Sequence, residues 1–291
     1  RARAALEKLS GEIPAISEKF AMDENDYRLF LMMQNINIPD ATKKNQILNY
    51  IWNDTKKVGD SAHKRIDLIA LEGISTGQVT ITIDNNPDGV VATTPISIGI
   101  DGSRKVNAAV DWATSATATP ITDIETTVST TKAQGRSIAK VLMTNAAWAK
   151  FKKAKEVIDN LTGYMQVNKG TFVPTLTKVN EYLTENQLPI IELVDESIGV
   201  EKNGVIVPKR PFKDENIVFI PAGALGEIKN ALAIEQVSAV DKVSYGLYRN
   251  ALISKWQENE PFREWTKVEF NAFPAFEAVD GIWIMSTDKQ F

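Results

Sequence analysis

The side chains that could carry chemistry are few and scattered. His63 is the single histidine in 291 residues and cysteine is absent, which removes thiolate chemistry, disulfides and every His/Cys zinc site. Asp60 and Asp67 lie near His63 within a helical pattern, the arrangement of a solvated helix face rather than of a base held by an orienting carboxylate. No Gly-x-Ser-x-Gly hydrolase elbow is expected, and neither a Walker phosphate loop nor a dinucleotide Gly-x-Gly-x-x-Gly is present. Pro221-Ala-Gly-Ala-Leu-Gly226 comes nearest to an anion loop, with small residues ahead of an expected helix start, but it lacks the lysine and the full glycine pattern. Asp84-Asn85-Asn86-Pro87-Asp88-Gly89 offers oxygen ligands without EF-hand spacing, and its composition is that of a turn. Lys150, Lys152, Lys153 and Lys155 read as a solvated face or an intersubunit contact, and Glu258 with Glu260 as a solvated face. Trp256, Phe262, Trp265, Phe270, Phe273, Phe276 and Trp283 form the densest aromatic stretch, read as core or interface rather than ligand cage. No catalytic, metal-binding or cofactor-binding residue is assigned, so no enzyme and no cofactor are expected.

Composition excludes further classes. A hydrophobic fraction of 43% with 24% charged residues is that of a globular protein. No window approaches the ~18 consecutive apolar residues of a membrane span, and no secretion signal is read at the start of the chain. The net charge of −4 gives phosphate and anionic lipid no global attraction. The length predicts one large or two intimately joined domains.

Apolar spacing sets out the elements that would position any site. Ile47, Ile51, Val58, Ala62, Ile66, Ile69 and Ala70 predict a long helix over 41–74, with a break near Gly59. Then the period changes to two. Val79, Ile81 and Ile83 fall on one face of a strand, the 84–89 turn follows, and Ile96, Ile98 and Ile100 fall on one face of a second strand. The result is a β-hairpin with one apolar face, and two strands alone are marginal in water, so something must cover that face. Further on, the pattern predicts a helix from Ile121 to Gln134, a strand at Ala139–Met143 and a helix capped by Asn145 with Trp148, Phe151 and Ile158 on one stripe. It then predicts a helix around Leu176, Val179 and Leu183, strands at 189–194 and 216–220, a helix at 222–232, and closing strands near 266–273 and 281–285. The fold class is α+β.

The order of several short segments is informative. Leu71-Glu-Gly-Ile-Ser-Thr-Gly77-Gln-Val-Thr-Ile-Thr-Ile, then Trp112 and Pro120-Ile-Thr-Asp-Ile124, resembles the lambda-type major capsid proteins of tailed double-stranded DNA bacteriophages. Phe219-Ile-Pro-Ala-Gly223, Glu260-Pro-Phe262, Phe273-Pro274 and Asp280-Gly-Ile-Trp-Ile-Met285 follow in the same order, and the resemblance covers about 45–287. It implies the Hong Kong 97 fold, with an N-terminal arm at 1–40, a helical segment at 41–75 and an E-loop hairpin at 76–104. It further implies a peripheral domain at 105–137 and 246–291, whose spine helix starts at Ile121, and an axial domain at 138–245. Val79, Ile81, Ile83, Ile96, Ile98 and Ile100 would then make the intersubunit contact of the E-loop. The chain begins at Arg1 rather than Met and no acidic segment precedes it, so removal by a prohead protease and a separate scaffolding protein both stay open.

The resemblance implies a structural subunit that assembles with itself, as hexamers and pentamers, into an icosahedral head shell in the host cytoplasm. Portal, scaffolding or decoration proteins would be further partners, packaged DNA would be touched only weakly, and no membrane is involved. Two other readings stand beside it: an encapsulin-like protein nanocompartment, and a surface carbohydrate-binding module suggested by the aromatic end and the Thr-rich strands. An enzyme of unrecognised type has no site in the sequence to support it.

Overall fold

The computed structural model describes residues 15–35, 42, 54–81, 95–166, 172–202 and 205–291. The early elements are β1 (Ala15–Asp23), α1 (Glu24–Asn35), α2 (Asp54–Thr76), β2 (Gln78–Val79), β3 (Ile96–Ser97), β4 (Lys105–Asn107) and α3 (Pro120–Ala133). Next come β5 (Lys140–Met143), α4 (Asn145–Phe151), α5 (Lys155–Met165), α6 (Leu176–Glu185), β6 (Ile190–Leu193), β7 (Ile198–Lys202), β8 (Val205–Lys209) and β9 (Asn216–Ile220). The last are β10 (Gly226–Ala231), β11 (Ser244–Tyr248), β12 (Ala251–Asn259), β13 (Phe262–Phe276) and β14 (Trp283–Ser286). They fall into two compact units: Arg1–Asp67, Ile81–Thr93 and Ile228–Phe273 form one, and Leu68–Thr80, Thr94–Glu227 and Pro274–Phe291 the other.

In the first unit, β1, β13, β12 and β11 lie side by side in that order, every pair antiparallel. Thr266, Val268, Phe270 and Ala272 of β13 are buried while the residues between them are half-exposed, the period-two signature of a sheet covered on one face. The first part of α2 brings Val58, Ala62 and Ile66, four residues apart, as its buried stripe. Gly59 does not break this helix. A Cβ there would lie 2.4 Å from Tyr248 Cδ1, so the glycine is a notch that admits a tyrosine ring, whose hydroxyl donates to Asp60 Oδ1 at 2.9 Å. Residues 15–23, within the expected N-terminal arm, are the edge strand of this sheet.

The second unit has a mixed sheet in the order β4-β14-β9-β5-β6, parallel at its two outer pairs and antiparallel at the inner ones. Its central strand β9 is buried from Asn216 to Phe219, as a strand covered on both faces must be. Ile121, Ile124 and Val128 of α3, Val157 and Leu161 of α5, and Val179 and Leu183 of α6 join Val141, Phe219 and Met285 of the sheet in one core. Burying each such side chain is worth roughly 1.5–3 kcal/mol.

Several expectations need correcting. The helix predicted after residue 145 is two helices, separated at Lys152–Ala154, and its cap is Thr144, whose hydroxyl accepts from Ala147 N. The helix predicted at 222–232 is the strand β10, which pairs with β13. Leu225, Ile228 and Leu232 have helical spacing, but at Gly226 the absent Cβ leaves room for Ala275 O, so the backbone lies directly on the neighbouring strand. The compact unit that holds 105–137 also holds 138–227 and 274–291. The Asp84–Gly89 turn lies outside the described residues.

Candidate functional site

The predicted hairpin is described at its root, and the root is built into the end of α2. Gly77 adopts φ +75° and its N–H donates to Gly73 O at 2.7 Å, ending the helix and turning the chain into β2. The carbonyls of the last turn are taken up individually. Ser75 O accepts from Asn216 Nδ2 at 2.7 Å and Thr76 O from Lys105 Nζ at 3.1 Å, so a cation sits at the negative end of the helix. Thr80 N donates to Glu72 Oε1 at 3.2 Å, and Ile98 N to Gly77 O at 3.2 Å. β2 and β3 then pair with Gln78 opposite Ser97 and Val79 opposite Ile96.

The apolar face finds cover at home. Val79, Ile81, Ile98 and Ile100 are all no more than 7% exposed in the single chain. A Cβ on Gly73 would lie 3.2 Å from both Val79 Cγ2 and Ile98 Cγ2, so these two side chains close over a helix glycine. Val79, Ile81, Ile98 and Ile100 thus have cover within the chain. Ile96 is half-buried, and Ile83 lies outside the described residues.

Sequence reading passed over one spacing in this segment. Gly73-Ile-Ser75-Thr-Gly77 has the Gly-x-Ser-x-Gly form of a hydrolase elbow. Ser75 lies instead in the final turn of a helix, fully buried, with its Oγ accepting from Lys213 N at 2.7 Å. It anchors the loop before β9 and has no elbow geometry. His63 also differs from its expected place on a solvated face: its ring stacks on Phe270 at 4.8 Å, Nδ1 lies 2.8 Å from Gly59 O and Nε2 3.1 Å from Arg249 O. Pro221–Gly226 leads into a strand, so no helix start follows it. Among the described residues no three His, Asp or Glu side chains are grouped to hold a metal, and no helix is long and apolar enough to cross a membrane.

The segments at 112, 120–124, 219–223 and 280–285 meet inside the second unit, while Glu260–Phe262 lies in the first. Trp112 Nε1 and Ala109 N both donate to the buried Asp123 carboxylate, whose desolvation holds its pKa above the usual carboxylate value against the pull of those two hydrogen bonds. Phe219 lies opposite Trp283 in the β9–β14 register, and a Cβ on Gly281 would lie 2.9 Å from Pro221 Cγ. Asp280 accepts from Arg136 Nη2 and Arg104 Nη1, both at 3.1 Å, and these guanidinium bonds hold its carboxyl below the usual range. Sequence reading missed Glu156, whose carboxylate accepts from Ile121 N at 2.8 Å and Thr122 N at 3.2 Å and so caps α3 from 35 and 34 residues away. Thr119, the residue at the cap position, makes no such bond. The missing signal is a local one: nothing near Thr119 marks a distant acid as the cap.

The model of one protein family, described as phage major capsid protein E, matches residues 1–287. The chain belongs to the phage major capsid protein E family. It is a structural shell subunit of the phage capsid, and its place is the virion capsid. No curated protein sequence is detectably similar to it. Among solved structures, a candidate capsid protein of a prophage of Escherichia coli CFT073 is similar in fold, with a TM-score of 0.55 at 12% identity over 94% of this chain and 76% of that one. A phage-related protein of Bordetella bronchiseptica RB50 is similar with a TM-score of 0.50 at 9% identity, over 95% of this chain and 76% of that one. The α+β fold is thus that of phage capsid subunits, the Hong Kong 97 type implied by the sequence motifs.

Proposed function

We propose that the chain packs as hexamers and pentamers of itself into the icosahedral head of a tailed phage, assembling in the bacterial cytoplasm around a DNA genome and catalysing no reaction. The observation that carries this reading is the family match, which runs through residues 1–287 and so takes in both units rather than one grafted module. Ser75 and His63, which have the residue types of a hydrolase, are both engaged in packing and backbone hydrogen bonds, which supports a structural role. At the hairpin, Val79, Ile81, Ile98 and Ile100 serve as the anchor that fixes its direction, leaving Ile96 and Ile83 as contacts to a neighbouring subunit. Portal and scaffolding proteins would be the further partners of such a head.

Negative-stain microscopy of the purified protein tests the reading directly: icosahedral shells or hexamer rings are expected. Particles from infected cells should contain DNA. A chain that forms no particle at any concentration, or particles filled with cargo protein in place of nucleic acid, would overturn it.

A further inference from the structure

Six exposed aliphatic side chains come from one continuous stretch of the first unit. Ile228, Leu232, Ile234, Val237, Val240 and Leu247 are 49, 74, 79, 80, 58 and 69% exposed. Together they present on the order of 700 Å2 of surface, close to the ~800 Å2 that one side of a standard interface buries. From Asn230 to Val240 the only charged residue is Glu235, and it faces Lys267 of its own sheet at 3.6 Å. Over the whole stretch from Ile228 to Leu247, Lys229 and Lys242 are balanced by Glu235 and Asp241, so no net charge draws phosphate or anionic lipid. We infer that this stretch is a contact between subunits, covered in the assembled shell by a second copy of this chain. The inference rests on the shell reading above, in which every subunit is surrounded by copies of itself, and it adds the residues that meet them.

The absence of cysteine makes a clean probe available. In Val237→Cys the new thiol is the only one in the chain, and its reaction with a maleimide dye is followed in dissociated subunits and in assembled particles. Labelling at least tenfold slower in the particles is expected; equal rates would overturn the inference. Protection seen in whole virions but not in particles of this chain alone would assign the surface to a different protein and overturn it as well. Leu232→Lys combined with Val237→Lys should melt like the wild type, because both side chains are exposed, yet stay dissociated where the wild type assembles. Assembly of that variant at the wild-type concentration would sink the interface while leaving the shell reading intact. A wild-type chain that never assembles would remove the shell reading and the proposed occupant together. The cysteine variant alters little volume, so its result stands even if the lysine pair fails to fold.

Discussion

Trp112 donates its indole N–H to Asp123 across 2.9 Å, and both side chains are closed off from solvent. This bond ties the loop before α3 to the helix itself, and the second Asp123 oxygen holds Ala109 N at 3.1 Å. Asp123→Ala leaves two buried donors without a partner, at about 1–3 kcal/mol each. Its unfolding midpoint in urea should fall accordingly. Asp123→Asn should cost less, since one acceptor survives.

The same carboxyl predicts a pH dependence. Burial raises its folded-state pKa, so the folded protein takes up a proton more readily than the unfolded chain. Its contribution is complete below the unfolded carboxylate value of about 3.9 and is lost as pH rises through the raised folded value. The stability of the wild type relative to Asp123→Asn should therefore increase toward acid within that window, read from thermal melts of both proteins. A constant difference across the window would show that Asp123 is not the group responsible.

At the hairpin root, Ile81→Asp together with Ile98→Asp would bury two carboxylates with no cation provided for them. The expected outcome is loss of the cooperative melting transition, not merely loss of assembly. A variant that melts like the wild type by circular dichroism would show that these side chains are not anchors.

Gly77 combines a positive φ with Lys105 packed against it: an added Cβ would lie 2.8 Å from both Cε and Nζ. Gly77→Ala should destabilise by about 1 kcal/mol or more from the backbone alone. Lys105→Met, which removes the cation from Thr76 O but keeps a long chain, should cost less. If Gly77→Ala melts at the wild-type temperature, the turn that ends α2 is less constrained than its geometry implies.

His63→Ala removes a ring stacked on Phe270 and two contacts with carbonyl oxygens. A loss of about 1–3 kcal/mol is expected, in the range of a partly buried aromatic with hydrogen bonds. Metal content and assembly of whatever protein remains folded should be unchanged.

Free subunits should bind DNA weakly, because the net charge is −4. A filter-binding titration at physiological salt should give dissociation constants no tighter than the micromolar range of non-specific binding. Submicromolar affinity with a steep salt dependence would contradict it.

How much of this was legible beforehand follows from what periodicity reports. β9 appears where the apolar run places it, and α3 starts at the proline that favours a first helical turn. The alternation through Val79, Ile81 and Ile98 correctly signals a face in need of cover, but period two is silent on which surface supplies it. Gly59 reads as a helix break because propensity is local, while its reason is a tyrosine 189 residues away. β10 carries helical spacing and is a strand because a backbone contact at Gly226 decides the matter. The bond between Trp112 and Asp123 joins two residues of one short motif, so the motif was visible while its cause was not.

β1 pairs with β13 from Ala15 opposite Asn271 to Asp23 opposite Arg263, so the earliest strand waits for a partner made about 250 residues later. At ribosomal rates of about 5–20 residues per second, that delay is roughly 12–50 s. A nascent chain therefore holds an unpaired strand edge until residue 271 has been made, and its first unit cannot be finished before then. Until then the open edge of β1 is a template on which another chain could pair.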